Sequence, residues 1–155
     1  MNKVLTAFSA VSLFALCACA ETLGRHGPSP SSLTPVARWQ GSFSSVTKPE
    51  EEIVTDAGAW AALWRKIGQA APNVDMSRSF AVAVFLGTRP TGGYGVVFLP
   101  PSIEQGEIVI AYREKKPSGM TFEALTQPYA VQLYPKTGLP VRLENAAGEK
   151  TRTRR

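Results

Sequence analysis

The sequence predicts an α+β fold, mainly an antiparallel β-sheet or a small open barrel or sandwich, with one amphipathic helix. Three observations predict it. One stretch carries helical apolar spacing, roughly six separate blocks carry strand patterns, and Gly- or Pro-containing segments divide them.

The helix is expected over residues 56–68. Asp56 suits an N-cap, because its short carboxylate can accept from the first free backbone N–H groups. Trp60, Leu63, Trp64 and Ile67 then fall at i, i+3, i+4 and i+7, and Gly68 supplies a stop. Two tryptophans on one stripe read as core packing. Ahead of the helix, Glu50-Glu51-Glu52 reads as solvated charge.

The rest reads as strand. Residues 37–46 alternate weakly, as in an outer strand. Residues 80–86 are continuously apolar, which suits a central strand covered on both faces. Tyr94, Val96 and Phe98 alternate, and Ile108, Ile110 and Tyr112 repeat the pattern after a turn around 100–106. Tyr129, Val131 and Leu133 form a further strand, and Val141 with Leu143 a short last one.

If the strands over 80–86, 94–99 and 107–114 form a meander, the connectors 87–93 and 115–120 share one end of the sheet, together with 126–129. That end is the candidate binding rim. It gathers Arg89, Pro90, Thr91, Gly92, Gly93 and Tyr94 with Lys116, Pro117, Thr126, Pro128 and Tyr129. Adjacent glycines permit positive φ, and the flanking Arg, Pro, Thr and Tyr exceed what a turn needs. The competing use of Tyr94 and Tyr129 is to cap the core.

The ends read differently. Residues 1–20 have the build of a signal peptide, with Lys3 ahead of an apolar run from Val4 to Leu16. Leu16-Cys17-Ala18-Cys19 resembles a lipobox with Cys19 as the acylated residue. Ala18-Cys19-Ala20 fits ordinary cleavage before Glu21 instead. Residues 21–35, rich in Ser, Pro and Gly, read as a flexible tether that includes the lone His26. A single folded domain is expected over 36–147, followed by a basic tail over 148–155.

The formal net charge of +5 sits at these ends: Lys3, Lys150, Arg152, Arg154 and Arg155 account for it. The body is near neutral, without the basic stripe of a nucleic-acid binder. It has no His and no Cys, which removes Ser–His and Cys–His nucleophile systems and most zinc sites. Gly92-Gly93 is followed by no Lys-Ser/Thr, so it is no phosphate loop. The expectation is a binding protein without catalytic residues, metal or cofactor.

Over 75–144 the chain resembles the C-terminal domain family of the protease complex subunit PrcB. The matching residues are Asp75-Met76-Ser77, Val84-Phe85-Leu86-Gly87, Arg89-Pro90-Thr91-Gly92-Gly93-Tyr94, Lys116-Pro117 and Thr126-Gln127-Pro128-Tyr129. The resemblance implies an exported module of the bacterial envelope, an outer-membrane lipoprotein or a periplasmic protein. It also implies a protein partner, a protease among the candidates, and no proteolytic activity of its own. Gly95 departs from the bulkier polar residue usual after the Tyr. Pro90-Thr91-Gly92-Gly93-Tyr94 is also similar to the inhibitory loop of chagasin-type cysteine-protease inhibitors, whose other two loops have no convincing counterpart here.

Overall fold

The computed structural model describes residues 33–146. The signal peptide, Cys19, His26, most of the tether and the basic tail lie outside the described residues. In chain order the elements are β1 (Ala37–Gly41), β2 (Glu50–Val54), α1 (Ala57–Ile67), β3 (Ser79–Phe85), β4 (Gly95–Phe98), β5 (Ser102–Glu104), β6 (Glu107–Lys115), β7 (Tyr129–Pro135) and β8 (Val141–Asn145). They form the expected α+β fold, with two open sheets and one helix.

The first sheet has the order β1-β7-β3-β2, and every pairing is antiparallel. In the second, β4 and β5 pair successive stretches of one edge of β6. β8 runs parallel to β6 along its other edge. The helix covers one face of the first sheet and the second sheet covers the other, giving three layers.

β3 shows why its sequence is apolar throughout. Ala81, Ala83 and Phe85 face the helix stripe of Trp60, Leu63, Trp64 and Ile67. Phe80, Val82 and Val84 face Ile108, Ile110, Val96 and Tyr112 of the second sheet. A strand with two dry faces has no position at which a polar side chain costs nothing.

The helix forms where its caps place it. Asp56 Oδ1 accepts from the Ala59 N–H at 2.9 Å, and Gly68 closes the helix in the left-handed region at φ 78°. Trp39 of β1 meets Trp60 and Trp64 edge-on. The three indole pairs have centroids 5.4–5.6 Å apart, a geometry worth about 1 kcal/mol per pair beyond burial.

Several expectations are corrected. The strands at 80–86 and 94–99 do not form a meander. Both edges of β3 are taken, by β7 and β2, so the chain leaves it and crosses to the other sheet. The glutamate run is a strand, not free charge. Glu50 and Glu52 point to the helix side and bracket Lys66 Nζ at 2.6 and 2.5 Å, while Glu51 points the other way and accepts from the Tyr112 hydroxyl. The turn around 100–106 contains β5, and the outer strand closes at Gly41 rather than at 46. Leu33, three residues before the expected domain start, is buried among Phe80, Val82, Ile108, Ile110 and Tyr134.

Candidate functional site

The rim loops do converge, although by another route than a meander. After β3, Gly87 turns the chain at φ 72°, and a Cβ there would lie 2.7–2.8 Å from the backbone of residues 47–49. Arg89 then pairs with Thr126 as an isolated antiparallel bridge, N–H to O at 2.8 and 3.0 Å in the two directions. Below it, the Arg89 guanidinium forks onto Glu114 at the end of β6. Nε donates to Oε1 at 3.0 Å and Nη2 to Oε2 at 2.9 Å. The Tyr94 ring lies 5.9 Å from the guanidinium carbon.

This pair is about a quarter exposed on each side, and its effect on both partners agrees. The hydrogen bond and charge of Arg89 hold the Glu114 carboxyl below its ordinary range, and Glu114 raises the Arg89 guanidinium. Both stay charged, so the fork works as a clamp between the 87–94 loop and the second sheet.

The loop after β6 is fastened to the same place. Gly92 N–H donates to the Phe122 carbonyl at 3.1 Å, and Thr126 Oγ1 donates to the Thr91 carbonyl at 3.0 Å. Gly93 has φ 84°, and a Cβ on it would come within 2.9 Å of Pro117 Cβ. Gly92 lies outside the positive-φ region. Of the glycine pair, only Gly93 is required by conformation.

The candidate residues therefore divide. Pro90, Gly93 and Lys116 are exposed, and Arg89, Thr91, Gly92, Tyr94 and Pro117 are half-buried. Thr126, Pro128 and Tyr129 are buried and offer no surface to a partner. The Tyr129 ring covers Gly41, where a Cβ would fall 2.6 Å from it, and its hydroxyl accepts from Gln69 Nε2 at 3.3 Å. These three residues hold the rim from beneath.

Sequence reasoning passed over the most exposed apolar residues at this end. Met120 is 104% exposed, Phe122 89% and Leu125 67%. They stand in the segment between Pro117 and Thr126, fastened at Gly92 and at Arg89. Phe43, also exposed, joins from the 42–44 loop, whose Ser42 carbonyl accepts from Gln127 N–H at 2.9 Å. The available signal was three large apolar residues in a segment with no strand or helix period.

Carboxylates gather in this structure around cations. Glu50 and Glu52 flank Lys66, and Glu104, Glu107 and Glu144 surround Arg142. Among the described residues no group of three His, Cys, Asp or Glu side chains is placed to hold a metal ion.

The stretch from β3 to β7, which contains every rim residue, has a counterpart among known families. Residues 80–132 match the PrcB C-terminal family model. The match lies within the 75–144 stretch that carries the resemblance and stops short of α1 and β8. In the comparisons with curated proteins and with solved structures, nothing matches the chain.

Proposed function

We propose that this chain is an exported, lipid-anchored accessory module of the PrcB type, which engages a protein partner through the rim around Gly92 and Gly93. The observation that carries the reading is the group Met120, Phe122 and Leu125, exposed on a segment whose backbone is pinned to the 87–94 loop. Apolar side chains held out on a fastened loop lose little entropy on docking and bury area that water disfavours. The Arg89–Glu114 fork and the buried Thr126, Pro128 and Tyr129 keep that loop in place. A protease-complex setting is supported by the family match over 80–132.

The test uses the full-length protein expressed in an envelope-bearing bacterium. Met120→Ser with Phe122→Ser leaves the core untouched, so folding is expected to be retained while co-purification of the partner is lost. Equal recovery of the partner by the variant and the parent overturns the reading. The anchor is tested separately by intact mass of the membrane fraction: acylated Cys19 is expected, and an N-terminus at Glu21 refutes it.

A further inference from the structure

Both sheets leave an edge strand open on one side of the sandwich. β1 ends the first sheet and β4 lies on the outer edge of the second. Among the described residues neither strand has a ladder partner on its outer side. Between them runs a cleft, visible as overlapping cavities of about 320, 500 and 420 Å³. Arg38 and Gln40 of β1 and Val96 and Phe98 of β4 form its walls, and Ala130 and Gln132 of β7 line it between them. One end lies at Leu33 and Pro100, and the other opens at Gly93, Tyr94 and Lys115, on the candidate rim.

Two properties of the cleft select an occupant. First, an open strand edge presents unpaired N–H and C=O groups, which an added extended chain can satisfy. Gly95, the first residue of β4, stands in open space, since a Cβ there would meet nothing within 4 Å. β4 offers about 13 Å of edge, enough for a four-residue strand. Second, the charge is one-sided. The charged residues lining the cleft are Arg38 and Lys115, near opposite ends, and no carboxylate lines it. Neither cation enters an ion pair among the described residues. The opposite open side, between β2 and β8, is lined by Glu51, Glu107 and an Arg142 already engaged by glutamates.

We infer that this cleft receives an extended acidic segment of a partner protein, which adds as a strand to the free edge of β4 between Arg38 and Lys115. The inference rests on the reading of the chain as a protein-binding module and names where, and in what form, the partner's chain lies. Main-chain bonds to the edge supply affinity, and the two cations select for carboxylates.

The test is an amide chemical-shift titration of the full-length chain in mild detergent with short end-capped peptides. One alternates glutamate and valine, a second alternates lysine and valine, and a third is the acidic peptide N-methylated at alternate residues. The acidic peptide is expected to shift amides of 37–41 and 95–98, with the basic and N-methylated peptides at least about tenfold weaker. Arg38→Glu with Lys115→Glu, both exposed, should weaken the acidic peptide about tenfold as well. Equal binding of acidic and basic peptides, no loss on N-methylation, shifts confined to other residues, or no binding by any peptide overturns the inference. Ile103→Ser, exposed on β5 away from both the cleft and the rim, should leave peptide affinity unchanged. Because the peptides report on the cleft, a partner that still binds the Met120→Ser, Phe122→Ser variant defeats the rim reading alone.

Discussion

The Arg89–Glu114 fork offers the sharpest physical test, because one substitution removes it without opening the core. Arg89→Met keeps the apolar stem and deletes the two charge-assisted hydrogen bonds to Glu114, of 3.0 and 2.9 Å, together with an exposed 3.2 Å bond from Nη1 to the Thr88 carbonyl. The pair is partly screened, at about a quarter exposure, so the expected loss is about 2 kcal/mol rather than the larger cost of a fully buried ion. For a domain of this size that lowers the unfolding temperature by roughly 8 °C. The loss depends on pH in a fixed direction. Glu114 has a carboxyl held below its ordinary range, so its contribution is present above the unfolded value near ~4.3 and fades as pH falls through the folded value. Thermal unfolding of the full-length parent and variant should show the full gap at neutral pH and a shrinking gap below about pH 4. No gap at neutral pH, or one of equal size in acid, refutes the account of the clamp.

The glycine pair should split: Gly93→Ala is expected to cost about 1–2 kcal/mol from its left-handed backbone and its contact with Pro117, and Gly92→Ala to be nearly neutral in denaturant unfolding. Tyr129→Ala should destabilise by about 3–5 kcal/mol as a core truncation, while Tyr94→Ala, half-buried, costs far less; equilibrium unfolding separates them. Burial pushes the Tyr134 phenol up to about 12, so its share of stability is intact below pH ~10 and drains away above it, by up to about 3 kcal/mol. Tyr134→Phe should flatten that alkaline limb. A panel of cysteine and serine proteases should show no inhibition by the purified chain, and tight inhibition would favour the chagasin-like reading of residues 90–94.

Much of the fold is legible because burial writes periodicity into the chain. The helix announces itself through Asp56, the stripe at 60, 63, 64 and 67, and Gly68, and β3 through unbroken apolar character. What sequence patterning missed was made of elements with little to bury. β2 is an edge strand whose outer positions are glutamates satisfied by Lys66 and Tyr112, so no apolar alternation marks it. β5 is a three-residue exposed strand. Pairing order was hidden for a different reason: it depends on which strand claims each edge of β3, a long-range outcome absent from local pattern. The rim residues at 89–94 stood out through turn chemistry. Met120, Phe122 and Leu125 did not, because only the structure shows that nothing among the described residues covers them.

The claim that this rim meets a protein is tested most directly by a photo-crosslinking side chain at position 122 of the full-length chain in the native envelope. Position 103, where Ile103 is exposed on β5 in the other sheet, serves as the control. A discrete protein adduct is expected from position 122, absent from position 103 and lost when Met120 is also changed to Ser. Adducts of equal yield from both positions, or none from position 122, would contradict it.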